Sequence, residues 1–409
     1  MWNWILFVFI YIIVSFYAFQ AVRTLTRSPY VLYAYILVLL VVLGNFLYHF
    51  AFPGETRGFR GARGYAASFL LMVILFQLVT VIFLFGEDMV RMLTALAGKW
   101  SGKSAEISLP SRRRFVSLLG MGLAAIPFSG LLYGMVKGKY DFRVLKYVLE
   151  FDDLPDAFDG YRITQLSDIH SGSFDDHEKV SYAVDLINQQ ESDLLLFTGD
   201  MVNDKADELL PWMETFSRLG APDGMYSVLG NHDYGDYARW GSEADKEANL
   251  DKLKELQRQM GFELLLNEHR YLEKDGQRIA LIGVENWGAG GFKKAGDLDK
   301  AIQGMTPDTF KILMSHDPSH WEQQVINHPY HYHLTLSGHT HGMQFGVEIP
   351  GVVKWSPIKW RYKYWAGIYR EMGQYINVNR GLGFLGYPGR VGMWPEITVI
   401  ELKKSAKTA

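Results

Sequence analysis

Long apolar runs fill the first third of the chain and end near residue 136; beyond that, short apolar runs alternate with amphipathic stretches. The runs over 2–19, 30–52, 66–85 and 115–136 each come close to the roughly 20 residues an α-helix needs to cross the hydrocarbon core. The first three consist mainly of Leu, Ile, Val and Phe, and no charged side chain interrupts them. A helix buried in a soluble protein keeps a polar face, so four such runs in succession predict an all-α, four-helix transmembrane region over 1–136. Asn45 and His49 fall near the end of the second run, which places them at the membrane interface.

The fourth run is less apolar, with Gly120, Gly122, Pro127, Ser129, Gly130 and Gly134 inside it. Just before it stands Ser111-Arg112-Arg113-Arg114-Phe115-Val116. Paired arginines between Ser and Phe, ahead of a modest apolar stretch, are similar to a twin-arginine export signal. A basic stop at a cytoplasmic helix end is the alternative, but the Ser and Phe at their motif positions favour the export reading, which decides the placement more than loop charge does. Loop charge bears on the choice. Four spans put the N-terminus and everything after residue 136 on one side. The loops on the other side carry Arg23, Arg27, Arg91, Lys99, Lys103, Arg112, Arg113 and Arg114, eight charges against Arg57, Arg60 and Arg63. Adding Lys137, Lys139, Arg143 and Lys146 narrows this to eight against seven. The expectation is a multi-pass protein of the cell (inner) membrane, its anchor retained and its C-terminal part extracytoplasmic.

Past residue 140, the segments 161–166, 194–197, 225–229, 278–284, 310–314, 332–336, 375–378 and 396–402 read as strands. Val180, Ala183, Val184 and Ile187 recur at helical spacing, as do Leu250, Leu253, Leu256 and Met260. The helix over 241–260 is heavily charged on its other face and is expected at the surface. Strand–helix alternation predicts a layered α/β domain over 161–409, preceded by a linker and a leading strand in 137–160. The overall 48% hydrophobic content conceals this division, and a net charge of −3 gives no pull toward nucleic acid. The absence of cysteine excludes disulfides, thiolate metal sites and a Cys nucleophile.

Polar residues gather where the strands end. Successive exits read Ser167-Asp168-Ile169-His170, Thr198-Gly199-Asp200, Gly230-Asn231-His232-Asp233, Ser315-His316-Asp317 and Ser337-Gly338-His339-Thr340-His341. Binding sites of α/β sheets lie at the carboxyl ends of strands. Imidazole with carboxylate, and no thiolate, suits divalent Mn, Fe or Zn. A lone Asp-x-His or Gly-Asp is most often an ordinary turn; five such exits in order are a different matter.

This order of motifs resembles the calcineurin-like metallophosphoesterase superfamily: D-x-H, G-D, G-N-H-D, H and G-H-x-H, over about 162–402. Ser315-His316-Asp317-Pro318, the run 378–383 and Pro395-Glu396-Ile397-Thr398 narrow the likeness to a bacterial, membrane-associated, twin-arginine-exported phosphodiesterase branch. That branch often has G-H-T-H-G-G-Q, whereas Met343 stands here at the second glycine. The resemblance implies a four-layer α/β/β/α sandwich. It implies that Asp168, His170 and His341 hold one metal, that Asn231, His316 and His339 hold a second, and that Asp200 bridges them. Two cations about 3.5–4 Å apart can share an attacking hydroxide and polarise the phosphate oxygens. By the same resemblance, His232 serves the leaving-group oxygen, and Asp233 orients His232 or a ligand.

Some members of the branch cleave the pyrophosphate of UDP-2,3-diacylglucosamine in lipid A synthesis, which would require a cytosolic catalytic face. A non-catalytic metal-binding scaffold or sensor is a third reading, though no ligand position and no His232 is missing. The expected partners are the lipid bilayer and a phosphate ester, lipid-linked or from the cell envelope. Residues 288–291 read as a surface loop, since they lack the ending of a phosphate-binding P-loop. The aromatic and basic stretch 355–369 reads either as packed strands or as a lipid or substrate contact. Arg380 and Arg390 read as turn residues with a possible role at a phosphate, and His177, His269, His320, His328, His331 and His333 as packing or surface groups.

Overall fold

The computed structural model describes residues 2–52, 61–100, 110–349 and 351–405. Arg57, Arg60 and Lys103, which enter the loop charge count, lie outside the described residues. The chain divides into two compact units, Met1–Gly134 and Met135–Ala409.

The first unit is four helices: α1 Trp2–Leu25, α2 Pro29–Ala51, α3 Gly61–Trp100 and α4 Pro110–Val136. All four contain stretches long and apolar enough to cross a membrane, and this is a membrane protein. Helix α2 starts on Pro29, whose missing N–H is harmless in a first turn. Helix α3 runs past the expected end at residue 85, because Met, Leu, Ala, Glu and Arg after that point are good helix formers. Its polar extension has partners. Arg113 of α4 donates to Glu87 at 2.8 Å and pairs with Asp88, Arg91 meets Glu87 at 2.9 Å, and Tyr17 donates to Asp88 at 2.5 Å. The Glu87 side chain is almost wholly buried, so Arg113 has a structural task apart from any export signal.

The second unit is built from two mixed six-stranded sheets. In chain order the strands are β1 Arg143–Phe151, β2 Arg162–Leu166, β3 Leu194–Phe197, β4 Met225–Ser227, β5 Phe262–Leu264, β6 Glu268–Lys274, β7 Gln277–Gly283, β8 Lys311–Met314, β9 Leu334–Ser337, β10 Val347–Ile349, β11 Val353–Trp355, β12 Gly367–Glu371, β13 Gln374–Val378 and β14 Glu396–Lys404. One sheet has the order β1-β14-β2-β3-β4-β5 and the other β12-β13-β9-β8-β7-β6, with β10 and β11 a separate hairpin. Strand β1 pairs with β14 along its whole length, so residues 143–151 belong to the domain and not to a linker.

Alternation along the strands divides each sheet between two cores. Leu194 and Leu196 of β3 join Ile312 and Met314 of β8 and Leu334 and Leu336 of β9 in the layer between the sheets. Leu195 and Phe197 face the other way, onto Val180, Ala183, Val184 and Ile187 of helix α5 (His177–Asn188). They share that core with Phe216 of α6 (Met213–Phe216) and with Leu253 and Leu256 of α7 (Glu243–Gln259). The outer face of the second sheet is covered by Leu298, Ala301, Trp321 and Val325. The result is the helix–sheet–sheet–helix stack that the resemblance implies.

An apolar layer between two sheets lets them slide, and a buried polar network at one end prevents it. Gln165 of β2 donates across the layer to the carbonyl of Ser337 (2.9 Å) and accepts from Asn377 of β13 (2.7 Å). Asn379 reaches back to Thr398 of β14 at 2.9 Å. Gln165→Leu takes one hydrogen bond each from the Asn377 amide and the Ser337 carbonyl in a dry interior, leaving them only Thr398 Oγ1 and the Asn379 N–H. The expected cost is about 2–3 kcal/mol, read as a lower thermal midpoint of the full chain in detergent. An unchanged midpoint would show that the network does not hold the register.

Candidate metal centre

Three chain turns leave the first sheet at the ends of β2, β3 and β4 and bring Asp168, His170, Asp200, Asn231 and His232 to one place. Two leave the second sheet at β8 and β9 and bring His316, His339 and His341 to the same place. Backbone bonds stitch the exits together. Asp168 N–H donates to Gly199 O (2.9 Å), His170 N–H to Asp200 O (3.1 Å), and Gly338 N–H to His316 O (3.0 Å). Asp168, His170, Asp200, His339 and His341 all have left-handed φ, between 46° and 72°. Each costs roughly 1–2 kcal/mol for a residue with a Cβ. Strain concentrated on the metal-ligand candidates marks this as the place where geometry is held against local preference. Gly338 allows the close approach, since a Cβ there would collide with Ser167 Oγ and Asp168 Oδ2.

The side chains form two groups, Asp168 with His170 and His341, and Asp200 with His316 and His339. His341 Nε2 lies 3.2 Å from Asp168 Oδ1 and 3.0 Å from His170 Nε2. His316 Nε2 lies 3.1 Å from Asp200 Oδ2 and 3.3 Å from His339 Nδ1. The same Asp200 Oδ2 is 3.6 Å from His170 Nε2, so one carboxylate oxygen faces both groups. Donor atoms that share a cation at bond lengths of about 2.1 Å stand about 3.0–3.4 Å apart, which matches the 3.0–3.3 Å spacings here, while His170 Nε2 stands wider from Asp168 Oδ1 at 4.0 Å. Asn231 adds a buried Oδ1 with no hydrogen-bond partner, its amide nitrogen being turned to Tyr237 Oη at 2.9 Å. An orphaned carbonyl beside facing imidazole lone pairs fits divalent cations well.

Electrostatics agree. Burial pushes His339 down to about 4 and His170 well below its ordinary value. Burial opposes a charge on His316 too, but Asp200 beside it pushes this imidazole up to about 10. Burial would raise Asp200 and Asp168, yet the imidazoles next to each hold both carboxyls below the usual carboxylate range. Two buried carboxylates thus demand positive charge, and metal cations would supply it.

The structure brings all nine residues singled out in the sequence to or beside this centre, and of the two partners expected for Asp233, His232 or a ligand, it gives the second. Its carboxylate does not meet the His232 ring. It accepts the N–H groups of Asp200 (2.9 Å), Met201 (2.8 Å) and Gly230 (2.8 Å), and so fixes the backbone that carries Asp200. Burial and the Asp200 charge push the Asp233 carboxyl up to about 7. What orients His232 is the carbonyl of Asn203, 2.7 Å from Nδ1. Asp233→Asn keeps the size of the side chain and removes its charge-assisted bonds. It is expected to weaken metal affinity about 10–100-fold, measured by chelator competition on the full chain.

The surroundings hold residues that no motif announces. Tyr362 Oη lies 2.8 Å from His339 Nε2, and Phe292 packs edge-on against His339 at 4.8 Å. The loop before Phe292 is not a loose surface loop, because Ala289 N–H donates to Asp317 Oδ2 at 2.7 Å. Tyr362 stands in the aromatic stretch 355–369, the one sequence signal that could have found it. Arg380 and Arg390 are both buried: Arg380 pairs with Glu396 and Glu348, and Arg390 donates to the carbonyls of Gly383, Met393 and Arg380.

Comparison with known proteins agrees with this geometry. Residues 161–343 match the family described as calcineurin-like phosphoesterase, and residues 2–139 match one described as "probable calcineurin-like phosphoesterase, transmembrane domain". The chain is 29% identical over 301 residues to the uncharacterized metallophosphoesterase YkuE of Bacillus subtilis, covering 72% of this chain and 98% of that protein. It is 28% identical over 346 residues to a Danio rerio transmembrane protein with metallophosphoesterase domain, covering 83% of this chain and 73% of the relative. An uncharacterized metallophosphoesterase of Aquifex aeolicus is 26% identical over 276 residues, 64% of this chain and 93% of its own length.

Proposed function

This chain carries a calcineurin-like metallophosphoesterase domain behind a four-helix membrane domain and is a metal-dependent phosphoester hydrolase; from that premise we propose that it hydrolyses phosphodiesters at a centre of two divalent cations. Asp168, His170 and His341 hold one cation, Asn231, His316 and His339 the other, and Asp200 lies between them. The observation that carries this reading is Asp200 Oδ2, which faces His316 Nε2 at 3.1 Å and His170 Nε2 at 3.6 Å. Mn, Fe and Zn all accept this nitrogen and oxygen set. Bound there, such cations neutralise the phosphoryl oxygens and activate water at neutral pH.

The protein's own side chains do the rest. His232, with Nδ1–H donated to the Asn203 carbonyl, keeps Nε2 as the nitrogen that exchanges a proton with the leaving oxygen. Asp233 holds the Asp200 turn, and Tyr362 fixes the ring of His339. Diester preference is supported by the engagement of Arg380 and Arg390, since neither meets the extra charge of a monoester. The test is metal analysis of the full chain in detergent, with turnover of bis(p-nitrophenyl) phosphate before and after chelation. Two equivalents of cation per chain, with activity lost to chelator and restored by Mn, are expected; a single equivalent in the active protein would rule out the shared centre.

We place the catalytic domain on the extracytoplasmic side because Ser111–Phe115 resembles an export signal, the loop charges alone dividing nearly evenly. Arg113→Lys, combined with Arg112→Lys, separates two causes of that placement. Lysine retains a cation for Glu87 and Asp88 but abolishes a twin-arginine signal. A reporter fused after Leu145 that remains active only outside the cell in this variant would assign the arginines to topology and packing. Loss of external activity would assign them to export.

A further inference from the structure

The β10–β11 hairpin is built inside out for a protein surface in water. Its register pairs Val347 with Trp355, Glu348 with Lys354, and Ile349 with Val353. Strand alternation puts Glu348 and Lys354 on one face, and both side chains contact the domain while remaining solvent-accessible. Glu348 accepts from Arg380 at 2.8 Å, while Lys354 donates to the Ala366 carbonyl and lies 4.9 Å from the Tyr369 ring centre. The opposite face carries Val347, Ile349 and Val353, all three exposed, together with the half-buried Trp355. Val352 at the turn is 78% exposed, Ile349 51% and Trp360 74%, and Met343 and Phe345 are exposed beside them. A solvated hairpin turns its apolar side inward, and a register shift of one residue would do that here. The fold instead fixes the apolar side outward, by the Arg380–Glu348 pair and by Ser356 Oγ donating to the Gly342 carbonyl (2.8 Å).

That last bond also ties the hairpin to the metal centre, because Gly342 follows His341 directly. Lys359, Arg361 and Lys363 are exposed around Trp360, and Arg361 lies over the Phe292 ring that packs on His339. Exposed aliphatics, an exposed tryptophan and adjacent cations are the composition of a surface that sits in lipid headgroups. Residues 137–142 alone separate α4, long and apolar enough to span a membrane, from β1, a tether of six residues.

We propose that the β10–β11 hairpin with Trp360 is an interfacial docking surface that rests in the lipid bilayer, so that the adjoining centre takes phosphoesters carried on membrane lipids. The substrate half of this inference rests on the phosphoesterase reading above; the docking half does not. The chain has no cysteine, so Val352→Cys and, on a distant face, Tyr182→Cys each give a single labelling position. Each is labelled with an environment-sensitive fluorophore in the full chain, reconstituted into phosphatidylcholine–phosphatidylglycerol vesicles. At position 352 the emission is expected to shift blue and to be quenched by acyl-chain doxyl lipids, and at 182 to do neither. Equal solvent exposure at both positions overturns the docking, as does shielding at 352 without lipid quenching, which would mean that protein covers the patch.

Activity is then measured on two esters with the same leaving group, soluble bis(p-nitrophenyl) phosphate and a long-chain alkyl p-nitrophenyl phosphate held in the vesicles. Val352→Asp with Trp360→Ser should lower turnover of the vesicle ester about tenfold and leave the soluble ester unchanged. An equal effect on both, or none on either, overturns the substrate half. If the wild type cleaves neither ester, the phosphoesterase reading fails, while the fluorescence result still decides the docking.

Discussion

Asp200→Asn is expected to lower phosphodiester turnover at least about 10³-fold, or about 4 kcal/mol of transition-state stabilisation. The substitution is nearly isosteric, and its effect can be located. Asp200 Oδ1 accepts the His232 N–H at 2.8 Å, a bond that an asparagine oxygen can keep, so the turn survives. What goes is the anionic Oδ2 facing His316 at 3.1 Å and His170 at 3.6 Å. An amide cannot neutralise cations on both sides, and the charge that raises His316 disappears with it. Metal content should fall below two equivalents while the thermal midpoint stays near that of wild type. Turnover within tenfold of wild type, with full metal content, would remove Asp200 from the centre of the mechanism.

The second large effect is at His232, and it should depend on the leaving group. Truncation to alanine removes the imidazole held by the Asn203 carbonyl, while every proposed ligand stays in place. For an ester with an alkyl leaving group, whose departing oxygen is strongly basic, kcat should fall about 10²–10⁴-fold. For p-nitrophenolate, which departs without help, the fall should be within about tenfold. Metal stoichiometry and KM should change little in either case. A uniform loss across leaving groups would mean that His232 serves to shape the site or bind the phosphate and does not handle the proton.

How much of this could be read in the sequence depended on where each residue sits. The eight strands identified from apolar runs are all interior strands, whose side chains are buried on both faces and leave a hydrophobic record. The four sheet edges, β1, β5, β6 and β12, left none that could be bounded. Strand β6 shows why: Glu268–Lys274 is mostly charged, as suits an edge that must not pair with another chain. The hairpin β10–β11 escaped for another reason, because its aliphatic side chains stay exposed and no buried face marks it. The metal-binding motifs were legible because their residue types at strand exits have few other uses together. Tyr237, Tyr362, Phe292 and Asn203 carry no such mark and act only through where the fold puts them.

Local chemistry thus determined four apolar helices, an α/β domain after them, and the set of side chains able to hold cations. Each of these depends on neighbours along the chain, through hydrophobic run length, periodicity and residue type. The tertiary structure decided which atoms face one another. It put candidate ligands from two different sheets 3.0–3.2 Å apart, locked that register with Gln165, Asn377 and Asn379, and gave Asp233 the Asp200 backbone to hold. The pairings between candidate ligands of the two sheets lie more than a hundred positions apart, as Asp168 and His341 do, and only packing two sheets face to face can fix them.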